Sequence, residues 1–523
     1  MLSPVSSMIN PDWGAIANDL NSLTPMSFEG PYHNARRCID APVIGLSPVE
    51  HAATYDVVVS PLTDSGLVLR AHADGPSIDL RDIWAQLPLG LLQLTGRAFD
   101  ASGTLLGVTS LKTLSKAPDW DNPEPAALDY EATAAGVLDY LCNGLPPAPH
   151  HPDDPAYMWH AAVHAVGTDM ATDLQFPALC FPMMINLFLT GHRLGLGDDL
   201  IERSIQLADF LIDRPMVEEG PLAGLPKSTM DQEGRGSHRE PDRTTVVRIG
   251  WTGVTMLDLA GVSGIQRYAD YASHLGEVLL ATQQDDGSWP YRLRISDGEV
   301  VETYTAASVM ALFLMERLAE QGNDARYQAA FDRGLDWILA NPVQTGLWQQ
   351  MYEDVPSLEP YENLEQWAPL ETAILLLRRQ HPDAVSIARK LVRYVEDQFV
   401  LFGDESSLSV PYLPFTPCVM EQYRCYWPMD VHTANYVRAA LALYEATGEM
   451  DWAHKAIASA NTVVRCRRPD GRLSTLVPDR RFGTTPPFAD WFNCMAHAAN
   501  ILFNLGPKLT TLAAAEMEDL PAT

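Results

Sequence analysis

Positive charge is what this sequence has least of. Its 523 residues carry 36 Lys and Arg against 67 Asp and Glu, a formal net charge of −31 with a sequence pI near 4.7. A field of that sign repels phosphate backbones and anionic lipid surfaces, which argues against nucleic-acid and membrane partners. Long apolar runs are missing too: no uninterrupted stretch approaches the roughly 20 residues that span a bilayer. The opening MLSPVSSMINPDWG lacks a basic segment followed by an apolar one. The chain therefore reads as soluble and cytoplasmic, or as secreted or periplasmic if a leader has been removed. Cysteine is sparse and odd in number (Cys38, Cys142, Cys180, Cys418, Cys425, Cys466 and Cys494), so no disulfide framework is implied. There is no Gly-rich phosphate loop, dinucleotide fingerprint or Gly-x-Ser-x-Gly elbow, which leaves cofactor-dependent redox and acyl transfer without a foothold. Cys418-x-x-Glu421-x-x-x-Cys425, His150-His151 and the His160/His164 pair lack matching further ligands, so neither a metal nor a cofactor is expected.

What is present is enough apolar text for a large core, 46% hydrophobic residues against 20% charged. Residues 1–39 read as an N-terminal extension. From 40 to 118, YDVVVSPL, GLVLRAHA and LLQLTGRAFD are short β-type runs punctuated by Asp-Ser-Gly, Asp-Gly-Pro and Ala-Ser-Gly. They predict a small antiparallel β-sandwich, and LPLGLLQLTGRAFDASGTLLG resembles a fibronectin-type-III or immunoglobulin-like strand-turn-strand. Pro and Asp crowd the stretch 119–127, which reads as a linker.

Beyond it, from 128 to 510, helical periodicity recurs in pairs. One set is amphipathic, as in DLIERSIQLADFLI and DAVSIARKLVRYVEDQF. The other is apolar nearly all round and rich in small residues, as in ALCFPMMINLFLTG and IGWTGVTMLDLAGVSG. A helix with one apolar stripe packs one face, whereas one apolar all round is buried. Six of each in alternation predict a mainly α chain: an (α/α)6 toroid of six helical hairpins with the second set inside, then a tail over 511–523. Links from inner to outer helices are short and those from outer to inner long, so the long loops gather at the N-termini of the inner helices. Long loops and exposed helix N-termini place the expected cleft there.

The loops carry recognisable residues. Gln283-x-x-Asp286-Gly287-Ser288-Trp289-Pro290 ends a helix at Gly287 and is expected to hold Trp289 and Tyr291 over the cleft, with echoes at Gly346/Trp348 and Gly471. Next come Glu302 and Tyr304, then Trp348, Tyr352, Glu353 and Pro356, then Glu421-x-x-Arg424-x-Tyr426 ahead of Asp430 and His432. This series resembles carbohydrate-active toroids, with similar patterns in D-glucuronyl C5-epimerases and pectate-lyase-type enzymes. The resemblance implies that rim Tyr, Arg and acidic residues handle a uronic acid. The Gln-Gly-Trp turn also resembles the repeat of triterpene cyclases, but their Asp-x-Asp-Asp acid does not occur here.

The densest constellation is CVMEQYRCYWPMDVHTANYV, which brings Glu421, Tyr423, Arg424, Tyr426, Trp427, Asp430, His432 and Asn435 to the mouth of an inner helix. Removing the C5 proton of a uronate needs a cation on its carboxylate, a base and a donor to the leaving oxygen. Arg424 suits the first role and Tyr426 or His432 the others, with Tyr304, Asp430, Glu302 and Glu421 as further catalytic candidates. Arg248 is a second carboxylate clamp. Trp289, Trp348, Tyr352, Glu365, Trp367, Trp427, Asn435, Asp490 and Trp491 are expected to bind a sugar, since pyranose C–H faces stack on aromatic rings while hydroxyls bond to acids and amides. The expected partner is a glycan and the expected reaction β-elimination or epimerisation. A glycoside hydrolase using two of Glu302, Glu365, Glu421, Asp430 and Asp490 is the alternative, with a terpene cyclase and a non-catalytic binding toroid beyond it. Oligomeric state is not legible.

Overall fold

The structure, a computed structural model, describes residues 23–63, 66–121, 125–164, 176–214, 216–228, 230, 242–245, 248–322, 324–350, 362–403, 415–478 and 489–519. Among them, twelve helices of ten residues or more build one body. The outer helices are α1 (Tyr130–Asp139), α3 (Leu200–Asp213), α5 (Gln266–Thr282), α7 (Ala325–Ala340), α9 (Ala384–Phe399) and α11 (Met450–Arg465). The inner ones are α2 (Pro177–Arg193), α4 (Arg248–Ser263), α6 (Ser308–Gln321), α8 (Trp367–Arg378), α10 (Asp430–Thr447) and α12 (Phe492–Asp519). Each inner helix touches the next, and α12 returns to α2, so the inner six close a ring; α12 also pairs with α1, joining the two ends of the chain. This is the (α/α)6 arrangement that the alternating patterns predict.

Burial follows the patterns. In α10, Asp430 to Val437 are all buried, whereas α9 buries Ala388, Leu391, Val392 and Val395 at helical spacing beneath exposed residues. Small residues let inner helices approach closely: a Cβ on Gly250 of α4 would stand 2.2 Å from the Met310 carbonyl oxygen of α6. Inner-to-outer links are short (194–199, 264–265, 322–324, 379–383, 448–449), and the long outer-to-inner links gather on one face. There they bridge to one another, as in Ala162–His164 with Ala489–Trp491, Arg243–Thr245 with Arg292–Arg294, and Glu365 with Gln422. Helix α12 runs past residue 510 to Asp519, because Leu509 and Ala513 still bury against the ring.

The β module begins earlier than its hydropathy suggests, with strands at Thr24–Met26, Phe28–Glu29 and Arg37–Cys38. Its long strand Gly90–Phe99 pairs antiparallel with Thr54–Pro61 on one side and with Leu105–Thr109 and Lys112–Lys116 on the other. Thr24–Met26 and Arg37–Cys38 add at the edge in parallel, so the sheet is mixed, a departure from the expected all-antiparallel sandwich. Strands this short can add to a free edge in either direction. A second sheet (Phe28–Glu29, Val43–Leu46, Ser77–Asp79) faces the first, with the Leu46 side chain over Gly96.

The module docks on α9. Arg37, fully buried, donates to the Glu396, Asp397 and Val400 carbonyls at 3.1, 3.3 and 2.5 Å. Arg393 reaches Asp40 and Asp119, each at 2.8 Å, and Trp120 stands edge-on to Phe402. The described part of the 119–127 stretch is thus tied to the helices instead of spanning a gap.

Candidate functional site

A cavity of about 330 Å³ lies where the sequence places a cleft, at the N-terminal ends of the inner helices. All six contribute: Leu179, Cys180 and Met183 from α2, Arg248 and Trp251 from α4, Met310 from α6, Trp367 from α8, Val431, His432 and Asn435 from α10, and Asn493 and Cys494 from α12. The loops add Phe176, Gln350, Glu421, Cys425, Trp427, Met429, Thr475, Leu476, Ala489 and Trp491.

The polar groups are held from behind. Gln366, buried just before α8, brings its side-chain nitrogen 2.6 Å from His432 Nδ1 and 3.4 Å from the Glu421 carbonyl oxygen. A carbonyl only accepts, which fixes the amide as donor to Nδ1 and leaves the imidazole proton on Nε2. Burial lowers His432 to a pKa of about 3, so the ring is neutral. Behind it, His497 Nε2 donates to Asn435 Oδ1 at 2.9 Å, and burial, aided by Arg438 and His432, takes His497 to about 3 as well.

Beneath this layer two tryptophans meet. Trp251 and Trp367 stack at 5.9 Å, and His497 stands edge-on to Trp251 at 5.2 Å. Both tryptophans also line a second cavity of about 290 Å³ on the far side, with Glu316, Glu371, Arg317, Arg378 and Arg438.

Of the sequence-derived candidates, the cavity wall gathers Glu421, His432, Arg248, Trp367, Trp427, Asn435 and Trp491. The other described candidates lie elsewhere. The hairpin joining Cys418–Met420 to Pro428–Met429 explains part of this, since its turn residues face both ways. Glu421 and Trp427 face the cavity, whereas Tyr426 donates its hydroxyl to the Gln398 carbonyl at 2.5 Å and lies under Arg36 of the β module. Arg424 is exposed and off the cavity wall. Asp430 is fully buried at the start of α10; its Oδ1 accepts from Val431 N, and burial plus the nearby Asp490 push its pKa well above the carboxylate range.

The remaining candidates hold the loops together. Glu302 pairs with Arg292 at 2.6 Å, and Tyr304 packs edge-on to Tyr291. Glu365 accepts the Trp367 and Ala368 amides at the start of α8, and burial outweighs those bonds to raise it to about 8. Asp490 binds Arg468 at 2.7 Å and Arg472 at 3.4 Å. Trp348 is 1% exposed within its loop. Trp289 does not overlie the cleft: its indole donates to the Leu279 carbonyl at 2.8 Å and fills the space over Gly334 of α7. The Gln283 motif serves the same contact, its side chain bonding to the Gly287 and Ala330 carbonyls. Gly287 is left-handed (φ 97°), as are its echoes Gly346 and Gly471, so the repeat is one of helix-end geometry. Tyr352 lies outside the described residues, with Glu353 and Pro356.

Sequence reasoning missed Gln366, Gln350, Asn493 and His497. His497 follows Asn493 by four residues on an inner helix, a spacing that puts both on one face, and this was the available signal. Among the described residues no group of three or more His, Cys, Asp or Glu is arranged to hold a metal ion, and no helix is long and apolar enough to cross a membrane.

No protein-family model and no curated protein matches the chain. Among solved structures it is similar to the cellobiose 2-epimerase of Bacillus thermoamylovorans, with a TM-score of 0.53 and 12% identity over 67% of this chain and 92% of that one. The cellobiose 2-epimerase of Spirochaeta thermophila gives 0.54 and 10% over 74% and 98%. A D-mannose isomerase gives 0.54 and 11% over 72% and 97%. At such identities the likeness is one of fold: the chain has the (α/α)6 toroid found in these carbohydrate-active enzymes.

Proposed function

We propose that this chain is a carbohydrate-processing enzyme that removes a proton from a sugar carbon next to a carboxylate or carbonyl, with a uronic acid as the first substrate to try. The observation that carries the reading is that Arg248, Glu421 and neutral His432 all line one cavity, among tryptophans. Arg248 pairs with the substrate carboxylate or carbonyl oxygen. The Glu421 carboxylate takes the carbon-bound proton, and the electron pair moves onto that oxygen, where Arg248 and His432 Nε2–H stabilise the developing charge. Delivery of a solvent proton to the opposite face, with Glu421 later releasing the one it took, epimerises the carbon; expelling the oxygen from the β carbon, which takes up the proton held by Glu421, leaves a double bond and gives elimination.

Two observations favour this over hydrolysis. Among the described residues, Glu421 is the single carboxylate on the cavity wall, whereas hydrolysis needs a pair. Neighbours named as epimerases and an isomerase agree with proton transfer at a sugar carbon. The test is incubation with uronates, uronate-containing oligosaccharides and neutral sugars in deuterium oxide. Deuterium entering a C–H position, or ultraviolet absorbance from an unsaturated uronate, is the expected result. New reducing ends with neither signal would move the chemistry to a hydrolase.

A further inference from the structure

The side-chain amide of Asn435 turns one atom to each side of the ring. Its Oδ1 accepts from His497 Nε2 at 2.9 Å and from Arg438 Nη1 at 3.4 Å. A guanidinium only donates, so the atom that Arg438 meets is the oxygen, and the orientation of the amide is fixed. Arg438 is itself held by the Glu371 carboxylate, and His497, Arg438 and Glu371 all line the far-side cavity. Asn435 lines the loop-face cavity instead and is 2% exposed. Its Nδ2 meets no hydrogen-bond acceptor among the described residues and, unlike the sealed side-chain oxygen of Gln366, keeps accessible surface. The space that Asn435 borders is the loop-face cavity, so its free N–H groups open there.

Donors so deeply set are matched by an oxygen, because an apolar or cationic group in that place would leave them unpaired. His432 stands one turn earlier on α10 and lines the same cavity. Residues three apart on a helix are about 5 Å from each other, a separation that suits two different oxygens of one sugar ring. We propose, resting on the proton-transfer reading above for the ligand being a sugar, that Asn435 determines specificity by donating to a sugar oxygen away from the reacting carbon. His497 and Arg438 are positioning residues that act through it, so this contact is set from the opposite face of the ring.

Binding of D-glucuronate and D-glucose to the full chain, each beside its 2-, 3- and 4-deoxy counterparts, tests this. For at least one of the two sugars, loss of one hydroxyl is expected to weaken binding by about tenfold. Asn435→Ser draws the donor back, after which the parent and that deoxy sugar are expected to bind within about twofold of each other. His497→Leu removes a donor to Oδ1 and is expected to shrink the deoxy penalty by about threefold or more, whereas His497→Gln, which still offers an N–H, keeps it. A fold defect weakens parent and deoxy sugars alike and leaves their ratio standing. No binding of either parent, no deoxy penalty in the unaltered chain, a penalty that survives Asn435→Ser, or one indifferent to His497→Leu would overturn the proposal. Failure of the two readings is distinguishable. A penalty erased by Asn435→Ser without deuterium exchange on any sugar refutes proton transfer and spares the Asn435 contact, whereas exchange on a sugar whose binding tolerates the loss of every hydroxyl in turn does the reverse.

Discussion

His432 is neutral because burial strips the imidazolium of water, and Gln366 decides which nitrogen carries the proton. On the proposed reading, that assignment gives His432 the part of hydrogen-bond donor and leaves proton removal to Glu421. Glu421→Gln keeps the shape of the side chain and removes its basicity, so kcat for deuterium exchange is expected to fall by about 10²- to 10⁴-fold with an unchanged melting temperature. The same burial governs stability against pH. His432 and His497 titrate near 3 when folded and near 6.5 when unfolded, so the unfolded chain binds more protons in that window. Stability is therefore lost as pH falls, by about 1.4 kcal/mol per pH unit for each ring. Glu365 and Asp397, raised by burial to about 8 and about 7, act oppositely and lose stability as pH rises above the unfolded carboxylate range. Asp430 and Asp490, also raised, join the carboxylates and His160, also lowered, joins the imidazoles, so urea midpoints are expected to fall below about pH 4 and above about pH 6.5, where the two sets no longer oppose each other. A midpoint that climbs steadily toward pH 8 would refute this balance.

At the scale of elements, the inner helices are placed by their smallest residues. Gly250→Ala puts a methyl group against the Met310 carbonyl, and α4 and α6 must part to admit it. The cost is expected at about 1–3 kcal/mol, read as a lower thermal midpoint, with substrate affinity reduced because Arg248 and Met310 sit on the separated helices. The helices themselves were legible in the sequence: periodicity separates buried α10 from half-buried α9, and loop lengths tell the two ends of the ring apart. The aims of side chains within loops were not. Tyr426 and Trp427 are adjacent yet serve the docking face and the cavity respectively, because a tight turn reverses their direction. Trp289 looked like a platform because tryptophan beside a turn is common to both roles, and only the space over Gly334 decides between them.

For the whole molecule, the β module and the ring are one packed unit, and Arg37 is where the two meet most tightly. Its guanidinium occupies three carbonyls at the end of α9 with no exposed surface. Arg37→Ala leaves those acceptors buried and is expected to cost about 2–4 kcal/mol in urea unfolding, with ring and module still melting in one transition. Two transitions would show that the interface is weaker than its geometry suggests. The sequence pointed to a module and a linker but not to this contact, since nothing in the text around Arg37 pairs it with Glu396 or Val400, some 360 residues away.

The stacked Trp251 and Trp367 have a last consequence, for how a long substrate is met. Trp251 and Trp367 line both the loop-face cavity and the one on the far side, so the indole pair stands where the two would join. On the proposed reading this pair turns a polymer back, so an end and not a mid-chain segment is expected to react, and product to leave by the loop face.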